Sequence, residues 1–136
     1  MLLCKGFLVK LLFVDDIRDT RDFFRFAFEL ENVEVRLASN GVEAVEMANS
    51  EVFDAIIMDV EMPQMNGWDA VRHIRTLAHC TMPILMYTAG GGNDTRRKAA
   101  EVGANGVLFK PVLPREILSR LEKLRIAADN NPLPSA

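Results

Sequence analysis

Four short apolar runs, each closed by a residue able to do chemistry, constrain this chain most. Lys10-Leu-Leu-Phe-Val14 ends in Asp15 and Asp16, residues 53–58 end in Asp59, Ile84-Leu-Met-Tyr87 ends in Thr88, and Val107-Leu-Phe109 ends in Lys110. Apolar runs this short, without alternation, are strands buried on both faces. Residues 33–38 alternate loosely and make a fifth strand. Between the strands the apolar spacing turns helical. Ile17, Phe24 and Phe28 share a face over residues 17–30, with Asp16 or Asp19 placed to cap or favour its start. Ser39-Asn40-Gly41 turns into a helix carrying Val42, Val45 and Ala48, and Gly67 opens one carrying Val71, Ile74 and Leu77. Gly103 marks the exit from a short fourth helix, and Pro114 starts a last one with Ile117, Leu121 and Leu124 on one side.

Five strands alternating with five helices predict an α/β domain, a parallel sheet covered on both faces. Right-handed crossovers prune the topologies to the doubly wound, flavodoxin-like sheet with strand order 2-1-3-4-5. In such sheets a site forms beyond the carboxyl ends of the strands, where the order reverses. That places the ends of strands one and three side by side. Asp15, Asp16 and Asp59 then share one pocket, with Thr88 and Lys110 at its other edge.

The rest of the chain agrees with a single domain of 136 residues, 49% hydrophobic and 26% charged. A net charge of -3 argues against a nucleic-acid binder. Cys4 and Cys80 are too few for a disulfide framework and read as free thiols of a cytoplasmic protein. The apolar start is broken by Lys5 and Lys10 and meets no small-residue cleavage site before Asp15, so it does not read as a signal peptide. No stretch approaches the roughly 20 apolar residues that cross a bilayer. Residues 1–9 are expected to be a leader, 10–126 the domain and 127–136 a disordered tail.

Three carboxylates at the end of an apolar sheet repel one another, so they raise their own pKa values or recruit a cation. Oxygen donors without paired His or Cys select a hard ion such as magnesium, which leaves room for phosphate oxygens. A carboxylate can itself attack phosphorus to give an aspartyl phosphate, a reaction that asks mainly for positioning and charge neutralisation. Asp59, between the other acids and Lys110, is the natural acceptor. Lys110 supplies positive charge to the phosphoryl oxygens, and Thr88 a hydrogen bond. Taken singly, these residues have plainer readings: a helix cap, a structural threonine, a solvated lysine. Their joint arrival at four strand ends is what favours a site.

The Asp15-Asp16 pair after its strand, Asp59-Val-Glu-Met-Pro-Gln-Met-Asn-Gly67, Thr88-Ala89 and Lys110-Pro111 together resemble the receiver domain of bacterial response regulators, the CheY-like fold of two-component signal transduction. The resemblance runs from about Lys10 to Arg125. It implies that Asp59 is the phosphoacceptor and that Asp15, Asp16, Asp59 and the backbone carbonyl of Glu61 hold Mg2+. It further implies that the Glu61 side chain affects phosphate lifetime, that Thr88 follows the phosphoryl group, that Lys110 pairs with it, and that Pro111 follows a cis bond. The implied partners are a sensor histidine kinase or histidine phosphotransfer protein as donor, and a downstream protein target or fused output domain. Acetyl phosphate is an alternative small donor. Such a protein is not an enzyme with a separate substrate; it catalyses only its own phosphorylation and dephosphorylation. Its docking surface is implied to be the face of the fourth helix, fifth strand and fifth helix. Only a short tail follows Arg125, which fits either a stand-alone switch or a receiver from a longer protein.

The sequence departs from that family in one place. The aromatic residue expected three positions before Lys110 is Val107, so phosphorylation is expected to shift loops and the fourth helix without a rotating ring. Gly90-Gly91-Gly92 and the basic run Arg96-Arg97-Lys98 mark that helix as marginally stable, with Asp94 as its expected cap. The basic run is either a solvated face or a partner-docking one. The triple glycine lacks the Gly-Lys-Ser/Thr of a P-loop. His73 and His79 read as surface residues, and Trp68 and the methionines as packing. Competing functions are a Mg2+-dependent phosphohydrolase, a flavin-binding module, and a receiver-like module that works without phosphate. The nucleophile on strand three speaks against the first, the acidic pocket against the second, and the complete set of site residues against the third.

Overall fold

The computed structural model describes residues 9–130, with side chains as far as Arg125. Five parallel strands, β1 (Lys10–Val14), β2 (Glu34–Ala38), β3 (Ala55–Asp59), β4 (Ile84–Thr88) and β5 (Gly106–Phe109), pair in the order β2-β1-β3-β4-β5. Helices α1 (Arg18–Leu30), α2 (Gly41–Ser50), α3 (Gly67–Arg75), α4 (Asn93–Val102) and α5 (Pro114–Asn130) connect and cover them. The expected fold is thus the observed one. β1, β3 and β4 are buried almost end to end, which is why they read as unbroken apolar runs.

Alternate strand residues point to opposite faces, and two cores result. Leu12, Val14, Ile56, Met58, Ile84, Met86 and Val107 pack against α2, α3 and α4. Leu11, Phe13, Ile57, Leu85, Tyr87 and Leu108 pack against α1 and α5. Each fully buried Leu, Ile or Phe contributes about 1.5–3 kcal/mol against leaving it in water. In the second core Phe13 stacks on Phe24 with ring centroids 4.6 Å apart, and Phe28 closes the cluster from the next turn of α1. Ile17, expected on that buried face, is 54% exposed, because it precedes the helix in extended backbone. The outer side of α1 also exposes Phe23, Phe26 and Leu30.

Helix starts differ from expectation in a consistent way. Asn40 caps α2 by accepting a hydrogen bond from the Glu43 amide at 2.8 Å, and Asn66 caps α3 through the Asp69 amide at 3.0 Å. Neither Asp16 nor Asp19 caps α1, whose N-cap is Ile17 without a side-chain bond, but Asp19 lies in the first turn, where a carboxylate favours the helix start. Asp94 does not cap α4 either; Gly92 holds that position with φ at 105°. At the far end of the chain α5 runs to Asn130, four residues into the expected tail. Ala127 and Ala128 are good helix formers, and the helix ends short of Pro132. Residues 131–136, and the expected leader apart from Val9, lie outside the described residues. Val9 is buried, and its carbonyl accepts from the Glu34 amide at 2.9 Å. Among the described residues no helix is long and apolar enough to cross a membrane.

Candidate functional site

The parallel register sets the carboxyl ends of β1, β3, β4 and β5 beside one another. One carboxylate oxygen from each of Asp15, Asp16 and Asp59 lies within 4.8 Å of the other two. Asp15 and Asp59 are buried, whereas Asp16 is exposed. The Lys110 Nζ reaches across from the end of β5 to 3.2 Å from Asp59 Oδ1 and 4.0 Å from Asp15 Oδ2. Four of the expected residues are therefore one charge cluster.

Local geometry fixes each acid. Asp15 Oδ1 accepts a hydrogen bond from the Ile17 amide at 2.8 Å, which turns the chain out of β1. The Arg21 guanidinium, one turn into α1, donates to the Asp15 carbonyl at 2.8 Å. Asp15 Oδ2 is buried and has no hydrogen-bond partner among the described residues. After Asp59 the chain folds tightly back, with the Gly67 amide donating to the Val60 carbonyl at 2.9 Å. A Cβ on Gly67 would collide with the Asp59 carbonyl oxygen, so α3 can start this close only with glycine there.

Electrostatics follow from burial and repulsion. The Asp59 pKa is pushed up to about 6, chiefly by desolvation and then by the Asp15 charge, with Lys110 opposing. Asp15 is raised too, mainly by burial, with the Ile17 amide and Lys110 pulling the other way. Tyr87 is raised to about 12 by burial and by the charges of Asp15 and Asp59. A buried carboxylate oxygen without a hydrogen-bond donor, in an all-oxygen group of three acids, fits a hard divalent cation.

Thr88 and Glu61 lie at the rim on the α4 side. The Thr88 hydroxyl donates to Glu61 Oε2 at 3.0 Å and accepts from the Gly90 amide at 3.1 Å. They line an open pocket of about 250 Å³ with Val60, Trp68, Asp94 and Lys98. The Lys110–Pro111 bond is cis. His73 and His79 are exposed and apart from the acids; a His79 ring nitrogen lies 3.0 Å from the Ala48 carbonyl. Cys80 is a buried free thiol, and Cys4 lies outside the described residues.

Two residues at the site escape sequence reasoning. Tyr87 lies with its ring beneath the Lys110 ammonium, 4.4 Å from Nζ to centroid, yet in sequence it closes an apolar run and reads as core. Arg21 reads as one of several charges on an exposed helix face.

Comparison with known proteins gives a consistent picture. The family model for the response regulator receiver domain matches residues 11–122. The transcriptional regulatory protein CusR of Escherichia coli (strain K12) is 38% identical over 116 residues, covering 85% of this chain and 51% of that protein. The chain thus spans about half the length of this curated relative. The chemotaxis protein CheY4 of Vibrio cholerae superposes with a TM-score of 0.81 at 34% identity, covering 86% of this chain and 98% of its own. The receiver domain of the sensor histidine kinase PA1611 from Pseudomonas aeruginosa PAO1, with a magnesium ion coordinated in its active site cleft, has a TM-score of 0.78 at 27% identity. It covers 86% of this chain and 97% of its own.

Proposed function

The chain belongs to the response regulator receiver domain family, and from that premise we propose that it is a phosphoacceptor switch that takes a phosphoryl group on Asp59. The observation that carries this reading is the Asp59 carboxylate itself. It is buried, grouped with Asp15 and Asp16 within 4.8 Å, and faced by the Lys110 ammonium at 3.2 Å.

Asp15, Asp16, Asp59 and the backbone carbonyl of Glu61 are the groups that would hold Mg2+, the ion named for the Pseudomonas receiver. When bound, it neutralises charge on the acids and on the phosphoryl oxygens. The chain's own residues do the rest. An Asp59 carboxylate oxygen attacks phosphorus and forms the new O–P bond. The donor's bond to phosphorus breaks, P–N in a phosphohistidine or P–O in acetyl phosphate, and its electron pair leaves with the imidazole or the acetate. Lys110 pairs with the transferred phosphoryl oxygens. Thr88 donates its hydroxyl to one of them, which requires it to let go of Glu61. That exchange pulls on Gly90 and so on the loop into α4, and the altered surface changes protein contacts. The donor is a sensor histidine kinase or phosphotransfer protein. The receiver acts in the cytoplasm on a downstream protein or a fused output domain. It turns over no substrate but its own phosphoryl group.

Intact-protein mass after incubation with acetyl phosphate, with and without Mg2+, tests the proposal. One added phosphoryl group is expected in the native chain with Mg2+ and none in Asp59→Asn. Sustained release of phosphate from esters without an adduct would make the protein a hydrolase. No adduct, in a folded protein that also fails to bind beryllofluoride with Mg2+, would leave an interaction module that works without phosphate.

A further inference from the structure

We propose that Tyr87 is a positioning residue for Lys110, its ring face holding the ammonium over the acidic pocket. The proposal rests on the phosphoacceptor reading above and assigns a role to a side chain that reading leaves unused.

Asp59 of β3 and Tyr87 of β4 are register partners, so both side chains leave the same face of the sheet. The ring therefore lies beside the acceptor carboxylate, and Lys110 Nζ sits over it at 4.4 Å while bonding Asp59 Oδ1 at 3.2 Å. The electron-rich face of an aromatic ring attracts a cation at this distance, and more strongly where water is excluded. Tyr87 is 5% exposed, and the Lys110 side chain 25%. The ring is itself packed between others, with Phe13 at 5.9 Å and Phe24 edge-on at 6.0 Å between centroids. Its hydroxyl makes no hydrogen bond among the described residues. The face of the ring is what the site uses.

The two attractions on Lys110 respond differently to the reaction. The pull of Asp59 depends on a free, ionised carboxylate and ends when that oxygen is esterified to phosphorus. The pull of the ring is unchanged. A lysine has a long stem with many rotamers, and fixing it costs entropy that a preformed seat has already met. Tyr87 thus keeps Lys110 aimed at the phosphoryl position before and after transfer.

Solution NMR on lysine-labelled protein tests the contact without any phosphorylation. The Lys110 ε-methylene protons, lying over the ring, are expected to be shifted upfield in the native chain and in Tyr87→Phe, and to return to ordinary positions in Tyr87→Leu. Phosphorylation by acetyl phosphate with Mg2+ is then expected within about twofold of native in Tyr87→Phe and slower by about three- to thirtyfold in Tyr87→Leu. The Mg2+ concentration for half-maximal rate is expected to stay unchanged. Should Tyr87→Leu not fold, Tyr87→Met supplies the ring-free variant at similar volume. Unshifted Lys110 protons in the native chain, or a ring-free variant phosphorylated at the native rate, would overturn the proposal. A native chain that takes no phosphoryl group at all overturns the phosphoacceptor reading instead, while the proton shifts still report on the contact.

Discussion

At the scale of single residues the site is costly to the fold. Asp59 has its pKa raised to about 6 from an ordinary 3.8, mainly by burial. The folded state thus holds this proton more tightly than the unfolded chain does. Without divalent cation, the stability that this holds is fully present below about pH 4 and is lost as pH rises through about 6. At pH 7 the buried charge is a net burden that Asp59→Asn removes. We expect that variant to be more stable than native by on the order of 1–3 kcal/mol at pH 7, and the gain to vanish near pH 4. Denaturant titrations at both pH values measure it; a variant no more stable at pH 7 would contradict the assigned burial and repulsion. Asp15, Asp16, Asp59, Thr88 and Lys110 were legible in sequence because they arrive together at the ends of four apolar runs that the strand order gathers, although each alone has a plainer structural reading. Tyr87 was not, because an aromatic residue inside such a run looks like every other core residue. Its role depends on where Lys110 lands from a strand further along the sheet.

At the scale of elements α4 starts from an exposed loop without a side-chain cap: Gly92 offers none, and residues 89–94 are exposed. The basic run, which sequence left between solvated and docking roles, is exposed and also makes contacts at this helix. The Arg96 guanidinium lies over the Phe109 ring at 4.8 Å, Arg97 pairs with Asp94 at 3.1 Å, and the Lys98 ammonium lies over Trp68 at 5.6 Å. Val107 is buried and has no ring to turn, while Phe109, two residues on, is half-buried beneath Arg96. Movement of α4 therefore has to break contacts with Phe109 and Trp68. Because Trp68 is the sole tryptophan, its fluorescence reports α4 directly. Beryllofluoride with Mg2+ is expected to shift its emission, and Lys98→Ala to abolish most of that change. Emission and amide resonances over residues 88–102 that stay fixed would show that α4 does not carry the signal. Neither of these ring contacts was legible in sequence, since they join residues 13 and 30 positions apart by packing alone.

At the scale of the whole molecule the sheet order was readable because each element agreed with it: doubly buried runs at the centre, an alternating strand at the β2 edge, and helices of one dominant face. Less readable was how the end opposite the site is closed. Arg75, at the last turn of α3, donates to the Gly103 carbonyl at 2.9 Å, the Cys80 carbonyl at 3.0 Å and Asn105 Oδ1 at 3.0 Å. One guanidinium thus ties the entries to β4 and β5 to α3. Asn105 Oδ1 also accepts from the Ile84 amide at 2.8 Å. Arg75→Ala is expected to lower stability by about 1–3 kcal/mol, chiefly because it leaves the part-buried Cys80 carbonyl without its guanidinium donor, the bonds to Gly103 and Asn105 being exposed. It should leave the phosphorylation rate near native, because these bonds lie at the amino ends of the strands. A stability loss under about 0.5 kcal/mol would mean that water replaces the guanidinium at no cost.

The central claim is that the phosphoryl group resides on Asp59, and chemical location of the adduct tests it most directly. The phosphorylated chain is treated with borohydride, which reduces an aspartyl phosphate to homoserine, and the digested peptides are sequenced by mass spectrometry. Homoserine at position 59, dependent on phosphodonor and Mg2+, is the expected result. Reduction at Asp15 or Asp16, or unmodified aspartate throughout in a chain whose intact mass carries the phosphoryl group, would contradict it.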